Sequence, residues 1–184
     1  MNKVFFLLLI SLAVFCNAQP GIRLQGSAAI PAGQLETHVD AGFGGNISFN
    51  LPVLFPGLEA TLTTGYYYCG LKEDLPGYDF NFSSIPVTLG LRYVFVEGSE
   101  ISPYVGVEGG VFFTEYFLQM DYGVLGKPEE ITKEISPGIS PEVGFRIYLA
   151  PGLDLDVNAR YSRIRTKYVS RAYIAIQSGF RFKF

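Results

Sequence analysis

Six charged residues carry most of the chemistry that the interior of this chain could do. Arg92, Glu108, Glu142, Arg146, Asp156 and Arg160 occupy alternate positions in segments that otherwise read as apolar. As three cations and three carboxylates they can neutralise one another, whereas a charge buried singly costs several kcal/mol. The expected use is a structural network filling a protein interior, with Glu108 facing an arginine such as Arg92 or Arg146. The other use is the wall of an ion-selective pore. Nucleophilic chemistry has a thinner basis. The chain holds one histidine, His38. Asp40 shares its face and Ser27 could stand nearby, the residue types of a triad acting on lipid. No catalytic motif surrounds them, and a solvated histidine accounts for His38 more simply, so no enzymatic activity is expected. Glu73-Asp74, Asp79, Asp121 and Glu129-Glu130 could attract a cation. Their spacing matches no calcium loop, Lys72 and Lys127 sit beside two of the pairs, and no cofactor is expected.

The elements that must hold these residues are strands. Past residue 18 nothing carries a helical period, and nearly everything alternates with period two. Eight strands are expected, at 21–30, 37–51, 58–68, 84–95, 103–116, 139–149, 153–161 and 172–184. In the second, Val39 and Phe43 share the apolar face. In the fifth, Val105, Val107, Val111 and Phe113 oppose Tyr104, Gly106, Glu108, Gly110 and Thr114. Short connections near 52–57, 96–101 and 150–152 alternate with mostly longer ones, notably 70–81 and 117–138. Short turns on one rim and long loops on the other suit a transmembrane barrel. Pro86 and Pro141 fall inside strands, where each removes a ladder hydrogen bond, and bulges are expected there.

Lys3, the apolar run from Val4 to Phe15 and the small Ala18 make residues 1–18 a secretory signal peptide, leaving one domain at 19–184. Phe15 is too large for the residue before a lipidated Cys16, so ordinary cleavage after Ala18 is expected. Removing Lys3 takes the 14 basic residues to 13 against 17 acidic ones. With no basic cluster, a nucleic-acid partner is excluded. Cys69 is then the one cysteine left, which excludes an internal disulfide and a cysteine metal site.

Alternation alone does not say which face is inside, since a soluble ligand-binding barrel alternates too. Glycines such as Gly44, Gly106 and Gly144 lie among the charged residues, and a narrow lumen of about eight strands needs such small neighbours. Aromatics gather near strand ends, among them Tyr66 to Tyr68, Tyr93, Phe95, Tyr116 and Tyr161, as interfacial girdles would. The last segment, Gly179-Phe180-Arg181-Phe182-Lys183-Phe184, alternates aromatic and basic residues and ends on Phe. With the phrases at 85–95 and 102–110, the chain resembles the outer-membrane β-barrel domain family, closest to its small OmpA/OmpX-like members. The resemblance implies an all-β, eight-stranded antiparallel up-and-down transmembrane barrel in the bacterial outer membrane. It also implies lipid outside, and the barrel-assembly machinery recognising Phe180, Phe182 and Phe184. The functional expectation is a non-enzymatic barrel that contributes to envelope structure or presents its long loops to an extracellular or membrane partner. A narrow solute channel and a lipid-modifying enzyme are the alternatives.

Overall fold

The computed structural model describes residues 20–37, 39–53, 55–70, 78–96, 98–120, 129–166 and 170–184. The expected signal segment, with Cys16, lies outside the described residues, as do His38, Lys72, Glu73, Asp74, Asp121 and Lys127. The strands are β1 (Gly21–Ala32), β2 (Gly42–Pro52), β3 (Leu58–Cys69), β4 (Tyr78–Val94), β5 (Ile101–Met120), β6 (Glu129–Ala150), β7 (Leu153–Arg165) and β8 (Ser170–Lys183). Each pairs antiparallel with its sequence neighbours, and β1 closes on β8. Following partners once around the barrel leads from Ile22 through Phe49, Leu62, Leu89, Gly109, Ile139, Arg163 and Ala172 back to β1 at Ala32, ten residues along. At about 3.3 Å per residue and 4.8 Å between strands, that stagger tilts the strands about 40° from the barrel axis. The three short turns each contain a glycine with positive φ, Gly57, Gly98 and Gly152, a conformation that side chains with a Cβ rarely adopt.

The barrel is inside out relative to a soluble protein. Leu24, Ile47, Leu62, Val107, Val143 and Ile176 are all exposed, and Leu89 is 66% exposed, while the carboxylate-bearing Glu108 is 1% exposed. Such an exterior is stable only against lipid. From Ile174 to Phe184 the outward residues of the last strand are apolar apart from Ser178. That run spans about 25 Å of height, which matches the apolar band of membrane barrels.

Beyond this band the pattern reverses. Near the start of β4, Phe82 is buried and Phe80 packs against the same cluster, while Asn81 and Ser83 take the outward phase. On β5 and β6, Tyr116 is buried, and Glu115 and Lys133 pair outside at 3.0 Å. Here water replaces lipid, so these aromatic side chains turn inward and the Glu115–Lys133 pair outward, while Ile131 on β6 stays exposed. This reversal hid the strand ends. β4 begins six residues before the expected 84, β5 runs on to Met120, and β6 starts ten residues before the expected 139. Residues 78–81 of the expected loop 70–81, and 117–120 and 129–138 of the expected loop 117–138, are therefore sheet.

Two further expectations are corrected. The second strand begins at Gly42, not 37, because Gly33–Thr37 forms one turn of 3₁₀ helix. The Val39 amide then donates to the Leu35 carbonyl at 3.1 Å. Val39 is buried beneath this turn rather than facing lipid. The register also passes Pro86 and Pro141 without a shift. Pairs Thr64–Val87 and Tyr67–Ser84 bracket the first, and Ile139–Arg163 and Glu142–Arg160 bracket the second. Each proline keeps a registered partner on β5, Phe112 and Val107 respectively, so the lost donor is tolerated without a bulge. Among the described residues the register shift falls at Tyr148–Ala150, beside a short turn.

Candidate functional site

The lumen is filled in two layers. In the half nearer the short turns, the inward positions of β1, β3, β4, β5, β6, β7 and β8 bring charges together. Glu142 lies at the centre. Arg92 donates to its Oε1 through Nε at 2.8 Å and also through Nη2, and Arg160 Nη2 donates to Oε2 at 2.8 Å. The same Arg160 nitrogen reaches Glu108 Oε1 at 3.1 Å. The Glu108 carboxylate also accepts from Thr61, Thr63 and Thr88 at 3.1, 2.9 and 2.7 Å. Arg146 holds Glu59 with two parallel bonds of 2.7 and 2.5 Å and reaches Asp156 at 3.3 Å. Asp156 also accepts from Tyr104 Oη at 2.7 Å, Gln25 at 3.0 Å and Arg23 at 3.4 Å. Arg92 lies over the Tyr104 ring at 4.3 Å.

All six charged residues singled out in the sequence are buried in this layer. The partner expected for Glu108 is corrected. It is Arg160, while Arg92 goes to Glu142 and Arg146 to Glu59. Four members were missing from the set: Arg23, Glu59, Asp154 and Arg181. Their signal was present, since each sits in the inward phase of its strand, but only the register shows that they join the others. With them the buried charges among the described residues are five arginines and five carboxylates, a net of zero. Neutrality removes the self-repulsion that would oppose packing them together in a narrow lumen. Gly144 makes room for Tyr104, because a Cβ there would stand 2.7 Å from the ring.

The half nearer the longer connections is an aromatic plug. Tyr67 packs against Tyr173 with ring centroids 5.1 Å apart, and Phe82 against Tyr116 at 5.3 Å, both pairs tilted. Phe112 and Ile164 join them, and Leu35 and Val39 come in from the segment after β1. Nothing in the alternation marked this layer, because its aromatics share the inward phase with the charged residues below. For the triad reading, Asp40 is exposed and accepts from the Ala41 amide at 2.7 Å. No cluster of three or more His, Cys, Asp or Glu placed to hold a metal occurs among the described residues.

Phe180, Phe182 and Phe184 all point outward near the short-turn rim. The Phe184 amide donates to the Pro20 carbonyl at 3.0 Å, extending the seam between β8 and β1. Phe184→Ser is expected to remove about 1.5–3 kcal/mol of lipid contact and, if the terminal aromatic guides assembly, to lower the amount of folded barrel. Heat-modifiable mobility of the barrel in isolated membranes measures this. Undiminished levels would remove the assembly role.

No protein-family model matches the sequence, nor does any curated protein. Solved structures do. Neisserial surface protein A is 20% identical with a TM-score of 0.64, over 91% of this chain and 99% of that one. OprG of Pseudomonas aeruginosa is 19% identical with a TM-score of 0.61, over 91% and 96%. Ail, the attachment invasion locus protein of Yersinia pestis, is 14% identical with a TM-score of 0.50, over 90% and 97%. The chain thus has the fold of small bacterial outer-membrane barrels, and its apolar exterior suits it to that membrane.

Proposed function

We propose that the chain is a non-enzymatic, non-conducting outer-membrane barrel whose working surface is a sheet raised clear of the membrane. One observation carries this reading. β5 and β6 are 20 and 22 residues long, against 13 and 14 for β7 and β8. The β6–β7 ladder reaches its last pair at Gly138–Ile164, and residues 129–137 continue beside β5 alone. Residues 135–137 pair with the lipid-facing stretch Val111 to Phe113, and the six above them, 129–134, rise about 15 Å at this tilt. On the other flank, residues 78–81 of β4 run on past Cys69–Phe82, the last pair with β3. A sheet of this length adds little to anchoring but gives a partner outside the cell an ordered surface. The two-layered lumen supports a closed barrel. Every buried carboxylate in it already binds a cation, which supports a structural filling over catalysis. Ail, named for attachment and invasion, uses the same fold.

A cysteine at Glu129, in a Cys69→Ala background, tests the topology. An impermeant maleimide should label it on intact cells. Labelling that appears only after the outer membrane is ruptured would mean that the long strands point inward. In planar bilayers the purified barrel should show no unitary conductance. A stable ohmic channel would replace this reading with a pore.

A further inference from the structure

The charged layer carries a further cation at the short-turn mouth. Among the described residues of that layer ten buried charges cancel, and Lys183 stands partly exposed beside them. It shares an acceptor: Asp154 Oδ2 takes Lys183 Nζ at 2.8 Å and Arg181 Nη1 at 3.3 Å. Arg181 also donates through Nη2 to Glu59 Oε1 at 3.0 Å, a carboxylate that Arg146 holds with two bonds. Among the described residues Lys183, with only the shared Asp154 oxygen, is therefore the less neutralised of the two. Arg181 is 5% exposed, and its Nε has no hydrogen-bond partner. Both side chains line a cavity of about 420 Å³ whose wall includes turn residues Gly98 and Ser99. That volume is in the range of small-molecule sites. Arg146 also reaches the wall, with its own charge matched by Glu59 and Asp156.

The geometry points to an oxyanion-binding vestibule here, in which a carboxylate or phosphate group on a small molecule sits between Lys183 and Arg181. The anion would supply the negative charge that Lys183 lacks, since Asp154 is shared with Arg181 and Glu59 is already taken by Arg181 and Arg146. Charge-assisted hydrogen bonds from ammonium and guanidinium groups are about twice as strong as neutral ones. The walls exclude part of the solvent, which strengthens the attraction over that in open water. Strand ends and the β4–β5 turn form the rim, so an anion can enter without passing the charged layer. In the proposed topology this mouth faces the periplasm.

The test is a titration of the detergent-folded, isotopically labelled barrel, followed by amide resonances. Inorganic phosphate and acetate are the two probes, with sodium chloride at equal ionic strength as the control. Saturable shifts are expected at Gly98, Ser99 and Ser102, and none at Ile131 on the far rim. Whichever anion saturates at lower concentration identifies the group preferred. Lys183→Gln, which keeps the backbone pairing with Gly21 in the closing seam, should raise the dissociation constant about tenfold. Asp154→Asn should lower it several-fold, because it removes the competing carboxylate. The proposal is overturned if neither anion saturates, if chloride reproduces the shifts, if Lys183→Gln binds as wild type does, or if Asp154→Asn binds more weakly.

Discussion

Glu142→Leu should destabilise the barrel by about 3–5 kcal/mol, the usual result of leaving a buried ion without its partner. Among the described residues, Glu142 is the carboxylate that receives Arg92, through Nε and Nη2. Arg92 is buried, and its face lies on the Tyr104 ring, which cannot replace a carboxylate. Arg160 also loses a bond but keeps Glu108 at 3.1 Å. Glu142→Gln should cost less, because it retains an acceptor oxygen for Arg92 while losing the charge. Replacing both partners, as in Glu142→Leu with Arg92→Met, should recover much of the loss, since no charge is then stranded. The chain has no tryptophan, so urea unfolding in lipid vesicles is best followed by far-ultraviolet circular dichroism and gel mobility. A Glu142→Leu barrel within about 0.5 kcal/mol of wild type would mean that water, not the carboxylate, neutralises Arg92. The charged layer would then not be held by the ion pairs described above.

The second large effect is expected on the outer face. Val107 lies midway between Ile101 and Phe113, six residues from each, and all three are exposed on β5. Its side chain therefore meets lipid near the midplane, where arginine costs about 2–4 kcal/mol. Val107→Arg should lose that much stability in a bilayer, and its folded fraction should fall in membranes of greater hydrocarbon thickness. The neighbouring Glu108→Leu is the matched comparison, changing hydrophobicity in the opposite direction on the opposite face. It leaves Arg160 with Glu142 but deprives the hydroxyls of Thr61, Thr63 and Thr88 of their shared acceptor. A loss of about 1–3 kcal/mol is expected. A soluble calyx, with the apolar side chains turned inward, would reject Val107→Arg as well, so the deciding result is Glu108→Leu: a change below about 0.5 kcal/mol, in a protein soluble without detergent, would mean that the faces are reversed.

The correspondence between sequence and fold was uneven along the strands for a physical reason. Within the lipid band every strand obeys one rule, apolar outward and polar or small inward. The phase of Val105, Val107 and Val111 against Tyr104, Gly106 and Glu108 was therefore enough to assign both faces. Above the band the solvent changes and the rule inverts, so Phe80, Phe82 and Tyr116 take the inward phase and Asn81, Ser83 and Glu115 the outward one. A reading that follows one apolar face sees that inversion as the end of a strand. Val39 was misplaced for a related reason. Alternation carried it onto the apolar face of a strand, whereas the turn at Gly33–Thr37 takes the chain off the sheet and over the lumen.

The sequence by itself determined the number of strands, the face each residue takes within the membrane and the stock of charges sent to the interior. All of these depend on the period-two geometry of a strand and on the contrast between lipid and lumen. Only the tertiary structure decided which charge meets which. Arg146 and Glu59 are 87 positions apart, on β6 and β3, which are not neighbours in the sheet. Their meeting depends on barrel closure and the ten-residue stagger. These set the height of each inward side chain across a lumen narrow enough for opposite walls to touch, and no local pattern along one strand encodes that height.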